Sequence, residues 1–177
     1  LHRGATRIDL VYNRLTSFAL DRPEDAPLRE ALNAGGAWIT PGPRAHALLA
    51  SKGNLSLMGD EAFLAAAGLG TDARQALLRV VPRTVLMTPA NRPELWERRC
   101  DLYFKPLGGY GSRGVYAGAK LTRKTWEAMG AEGTYVAQQE VPPSRVAVPG
   151  YPDMRCDVRS YAYQGRSFMR LARRLAN

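Results

Sequence analysis

The sequence predicts a mixed α/β fold in two lobes, and three observations carry that prediction. Near the start, two short apolar stretches, residues 8–12 and 37–40, flank one helix-forming segment, which is the spacing of a βαβ unit. From Pro82 onward, strand-like runs of four or five residues alternate with short helical ones, an α+β pattern. Between two of those runs lies Gly108-Gly-Tyr-Gly-Ser-Arg-Gly114, too rich in glycine for helix or strand. Residues 1–81 are therefore expected to form an N-terminal α/β lobe. Residues 82–177 are expected to form an α+β lobe carrying a glycine-rich β-hairpin loop.

The elements follow in order. Ile8-Asp-Leu-Val-Tyr12 reads as a buried strand of the parallel type, ending at the polar Asn13-Arg14. Residues 25–34 have helical composition and stop at Gly35-Gly36, a helix terminator. Ala37-Trp-Ile-Thr40 is a second strand, closed by Pro41-Gly-Pro43. Residues 44–80 are largely helical, punctuated by Gly53, Gly59, Gly68 and Gly70. Beyond Pro82, residues 84–87, 102–105, 114–117 and 135–138 read as strands. Residues 93–99 and 122–129 read as helices, with Thr122 as N-cap of the second. Four prolines between 142 and 152 predict a surface loop. Residues 155–163 and 167–171 then pair as a hairpin turning at Gln164-Gly165.

Composition narrows the function classes. The chain is 45% hydrophobic and 23% charged, which suits a folded domain rather than a disordered one. Its longest apolar runs, such as residues 62–69, fall far short of the ~18 residues that span a bilayer, so no membrane partner is expected. Cys100 and Cys156 stand far apart without a partner motif, as reduced thiols of a cytoplasmic protein do. His2 and His46 are the only histidines, which argues against a histidine zinc site. A formal charge of +9 asks for an anionic partner. The arginines are spread along the chain with no basic stripe among aromatics, so a nucleotide or an anionic metabolite or peptide fits better than nucleic acid. A homo-oligomer is left open.

Gly109-Tyr-Gly-Ser-Arg-Gly114 matches Gly-x-Gly-x-x-Gly, a string shared by three kinds of phosphate loop, and its flanks decide among them. A dinucleotide-binding turn opens into a helix, whereas Val115-Tyr-Ala117 is strand chemistry. A protein-kinase loop has its lysine downstream with His-Arg-Asp and Asp-Phe-Gly signatures, and neither occurs. Here Lys105 lies upstream, on the strand that feeds the loop. A lysine between Phe104 and Pro106 on an apolar strand is hard to explain as surface decoration.

That arrangement resembles the ATP-grasp superfamily, and specifically the glutathione-synthetase-like ATP-binding domain. Asp9-Leu-Val-Tyr-Asn-Arg14 looks like the strand that ends there in a substrate-lining arginine. Thr40-Pro-Gly-Pro-Arg-Ala-His-Ala-Leu-Leu-Ala-Ser-Lys52 is similar to the stretch reaching the first nucleotide lysine. Pro82-Arg-Thr84 resembles the entry to the ATP-binding lobe, and Tyr135-Val-Ala-Gln-Gln-Glu-Val141 the hinge whose backbone binds adenine. Asp157-Val-Arg159 resembles the Asp-x-Arg opening the next strand pair, and Arg173 falls where another arginine is placed. The matches occur in the family's order over nearly the whole chain, and they resemble a bacterial group of uncharacterised ATP-grasp proteins more than any ligase of known substrate.

The resemblance implies an ATP-dependent carboxylate–amine ligase that passes through an acyl phosphate and uses ATP and Mg²⁺. Phosphoryl transfer needs positioning and charge neutralisation more than covalent help. Lys52 and Lys105 would then meet the phosphates from two sides, and Gly108, Gly109 and Gly111 would let backbone approach them. Ser112 would add a hydroxyl donor, and Tyr110 would shield the loop from water. Gln138, Gln139, Glu140 and Val141 would hold the adenine edge, and Asp157 the ribose hydroxyls. Arg159 and Arg173 would serve the acyl phosphate, and Arg14 the substrate carboxylate, because guanidinium forks bind such groups bidentately. The competing readings are a surface Arg14, a solvated helix lysine at Lys52 and an Asp157 paired structurally with Arg155 or Arg159. The family's magnesium ligands follow the last strand read here, and no acidic residue follows Asp157. The sequence is therefore expected to be an incomplete segment of a larger enzyme. The alternative is a non-catalytic nucleotide- or anion-binding module that lacks the metal segment.

Overall fold

The computed structural model describes residues 1–129 and 135–174, with backbone alone at residues 148, 151–153, 173 and 174. Helices and strands alternate as an α/β fold requires. By internal contact the chain divides between Gln139 and Glu140 into two compact units, and residues 1–81 and 82–139 share the first of them.

The first unit opens with a small hairpin of β1 (His2–Arg3) and β2 (Thr6–Arg7). β3 (Leu10–Tyr12) and β4 (Trp38–Thr40) then pair in parallel, Val11 opposite Ile39, with helix α1 (Ala26–Asn33) in the connection. This is the βαβ unit, and Gly35, at φ +65°, turns the chain out of the helix as the Gly-Gly pair predicts. Ile39 is buried, while Trp38 is 79% exposed.

The helical stretch resolves into four short helices at the glycines read as punctuation. They are α2 (Pro43–Leu49), α3 (Asn54–Met58), α4 (Glu61–Ala66) and α5 (Thr71–Val80). Asp60 caps α4 by accepting a hydrogen bond from the Phe63 N–H at 3.0 Å.

A four-stranded antiparallel sheet completes this unit. Its strands are β5 (Thr84–Leu86), β6 (Leu102–Pro106), β7 (Tyr116–Ala117) and β8 (Tyr135–Gln139), in spatial order β5-β8-β6-β7. Alternation sends Leu102, Phe104 and Ala137 to one face, against α6 (Arg92–Glu97) and α7 (Arg123–Ala128). Leu95, Trp126, Met87 and Met129 close that core, with Phe104 edge-on to Trp126 at 5.2 Å between centroids. Thr122 caps α7 as expected, accepting from the Thr125 N–H at 3.2 Å. Arg92 stitches the two helices together, donating to the carbonyls of Trp126 at 2.8 Å and Met129 at 3.2 Å. Those are carbonyls at the end of a helix, where no intrahelical donor remains. The opposite face of the sheet carries Tyr103, Lys105, Val136, Gln138 and Thr84.

The second unit is a three-stranded antiparallel sheet of β9 (Ser144–Val148), β10 (Tyr151–Tyr163) and β11 (Arg166–Arg174). Here the surface loop expected over residues 142–152 is corrected. Ser144-Arg-Val-Ala-Val148 forms an edge strand on β10, with Val146 opposite Met154. The prolines do not prevent it, because Pro142, Pro143 and Pro149 flank the strand and leave every N–H within it in place. The tight turn at Gln164-Gly165 has φ of +49° and +74°, the two left-handed residues that a two-residue hairpin demands.

Candidate functional site

Because Phe104 enters the core, its neighbour Lys105 must project from the other face of β6. Register sets Lys105 opposite Val136 and diagonal to Gln138, within reach of a long side chain. The Lys105 ammonium donates to Gln138 Oε1. Gln138 Nε2 donates in turn to Thr84 Oγ1 at 2.9 Å, and the Thr84 hydroxyl donates to the Pro82 carbonyl at 2.8 Å. Gln138 and Thr84 are both buried, so this polar chain is shielded from water.

Residues 107–115 connect β6 to β7, which pair antiparallel through Phe104 and Tyr116. Gly109, Gly111, Ser112 and Gly114 all adopt positive φ, the geometry from which backbone anion nests are built. No side-chain or backbone atom lies within 4 Å of where a Cβ would stand at Gly109 or Gly111, so backbone conformation requires glycine there. Gly114 differs: a Cβ would meet the Tyr135 hydroxyl at 3.3 Å.

Lys52 lies between α2 and α3, and its N–H donates to the Leu107 carbonyl at 2.9 Å. Its ammonium reaches the carbonyls of Gly108 and Gly109 at 3.4 and 3.3 Å. Two lysines 53 positions apart in sequence thus converge at the root of one glycine-rich loop. Burial first, and then the charge of Lys52, hold the Lys105 ammonium below the ordinary lysine range. Burial, followed by the influence of Tyr116, pushes the Tyr135 phenol up beneath the same loop.

The loop tip has a separate anchor. Tyr110 lies edge-on to Phe18 at 5.5 Å, and Phe18 stacks flat on His46 of α2 at 3.8 Å. The Arg113 guanidinium sits 5.6 Å from the Tyr110 ring. Phe18 belongs to the segment that follows β3, where Thr16, Ser17, Phe18, Ala19, Asp21 and Arg22 line an open cleft of about 620 Å³. No protein-family model matches the chain, and no curated protein matches it.

The remaining expected residues fall as follows. Gln139 extends the sheet, its N–H donating to the Arg83 carbonyl at 2.8 Å, and Glu140 and Val141 are exposed beyond the strand. The side chain of Gln138 is given to Lys105 and Thr84. Arg14 is exposed after β3, its guanidinium 6.0 Å from the Tyr12 ring. In the second unit, Asp157 and Arg159 share one face of β10, and register sets Arg173 directly opposite Asp157; the Arg173 side chain lies outside the described parts. Among the described residues, no three His, Cys, Asp or Glu side chains gather to hold a metal ion. No helix among the described residues is long and apolar enough to cross a membrane.

Sequence reasoning missed Thr84 as the anchor of Gln138, and Phe18 with His46 as the seat of Tyr110. Only the β5–β8 register reveals the first. The second joins two rings 28 positions apart, with no periodicity to mark them.

Proposed function

We propose that the protein binds ATP through the loop of residues 107–115, as an ATP-grasp carboxylate–amine ligase. The observation that supports this best is the convergence of Lys52 and Lys105 at the loop root. Two ammonium groups facing one another repel, and an anion between them relieves that repulsion. A triphosphate supplies it, with Lys105 and Lys52 as point charges and the glycine backbone as a cradle of N–H donors. Tyr110 closes the outer side and keeps water from the phosphates.

In this reading a substrate carboxylate attacks the γ-phosphorus, ADP leaves and an acyl phosphate forms. An amine then attacks the acyl carbon and expels inorganic phosphate. The protein's own part is to bind, orient and exclude water. The roles of Arg14, Asp157, Arg159 and Arg173 rest on the ordered sequence resemblance, with the arginines on anionic substrate groups.

Calorimetric titration with ATP tests the binding step: Lys105→Ala should weaken affinity by about 10- to 100-fold, the worth of a charge-assisted contact. Equal affinity in wild type and variant sinks the loop assignment. The ligase step predicts ADP release only when a carboxylate and an amine are both supplied. ATP binding without such release identifies a non-catalytic nucleotide-binding module instead.

A further inference from the structure

We propose that Gln138 is a positioning residue for Lys105, holding its ammonium with a neutral acceptor so that the full positive charge remains for a phosphate group. The inference rests on the reading of the lysine pair as a phosphate site.

The direction of the amide follows from the chain of partners. The Pro82 carbonyl can only accept, so it takes the Thr84 hydroxyl proton. The Thr84 oxygen is then left as an acceptor, and it must face the NH₂ end of Gln138. The carbonyl end of Gln138 therefore faces Lys105, and a flipped amide would set NH₂ against ammonium. A fixed, buried amide thus aims one lone pair at the lysine. An ammonium has three donors, so one tether leaves two for a ligand.

The neutrality of the partner matters as much as its aim. A carboxylate at this position would also hold the lysine, but it would cancel the charge that attracts phosphate and would itself repel a triphosphate. The groups facing the Lys105 nitrogen include the Gln138 amide, the Lys52 ammonium and the Tyr103 ring, 6.0 Å from nitrogen to centroid. Burial and Lys52 both disfavour the charged lysine, so an accepting amide is the contact that opposes them.

The test is titration of the whole protein with sodium tripolyphosphate across alkaline pH. Three variants are compared with wild type: Lys105→Ala, Gln138→Glu and Gln138→Met. Gln138→Glu is expected to weaken binding about 10- to 100-fold. It should also displace upward the pH at which the remaining affinity is lost, because a carboxylate holds the lysine proton more tightly. A purely structural role would lower affinity equally at every pH. Gln138→Met, neutral and of similar volume, should weaken binding without that upward displacement, and it decides the matter if Gln138→Glu does not fold. Wild-type affinity in both Gln138 variants, beside a loss in Lys105→Ala, overturns the positioning role. Wild-type affinity in Lys105→Ala overturns the phosphate site itself.

Discussion

Lys105 sits in a place that resists charge, and the sign of its pH dependence follows. The lowered pKa means that the ammonium persists only below that value. Stabilisation by an added anion should accordingly be greatest below the lowered pKa and fade as pH rises through it, before the ordinary lysine range. Melting temperatures with and without tripolyphosphate, taken from pH 7 to 10, check this; a constant increment contradicts it. Gly118 is a second residue where one atom decides. A Cβ there would fall 1.8 Å from the Arg99 carbonyl oxygen, where the 3₁₀ turns Arg99–Asp101 and Gly118–Lys120 meet. Gly118→Ala should cost about 1–3 kcal/mol or more by overpacking, read as a lower urea midpoint with unchanged slope. Lys105 stands out in the sequence because it lies between Phe104 and Pro106 on an apolar strand. Gly118 and Thr84 were not legible in the same way, since each acts through a contact that only folding creates.

At the scale of elements, the loop of residues 107–115 is fastened at two points, Lys52 at its root and Phe18 at its tip. Phe18→Ala removes the ring on which Tyr110 rests and leaves the root intact. Amide exchange over residues 108–113 should then quicken several-fold, while β6 amides keep their protection; unchanged loop exchange would show that the ring contact holds nothing. The βαβ unit, the four helices after Pro43 and the Gln164-Gly165 turn were all readable, because glycine pairs and strand-length apolar runs mark them locally. The strand Ser144–Val148 was misread as loop, because prolines on either side hid a short alternating run between them. What decides there is the partner, β10, and partners are not written into local composition.

For the molecule as a whole, protection should follow burial. β8 is paired along both edges and carries Val136 and Ala137 at 0% and 1% exposure, whereas the β9–β10–β11 sheet leaves Val158, Tyr163 and Phe168 each about two-thirds exposed. Hydrogen exchange should therefore release β9 and β11 amides first and β8 amides last. The reverse order would mean that the second unit, not the sheet around Phe104, sets global stability. The general α/β character was legible from alternation alone. Composition alone did not mark the division after Gln139, which falls inside the stretch 135–141 that the resemblance reads as a hinge.

Phe18 has one ring and two clients. It lines the cleft that follows β3, and it is the ring against which Tyr110 of the glycine-rich loop packs. If a small molecule entering the cleft shifts Phe18, it alters how firmly the loop is held, and thermodynamic linkage makes the effect mutual: an anion bound beneath the loop, as proposed above, would change the cleft's affinity by the same factor. One aromatic side chain is enough to make occupancy of the two places cooperative, in favour or against, according to whether the first visitor steadies the ring or turns it.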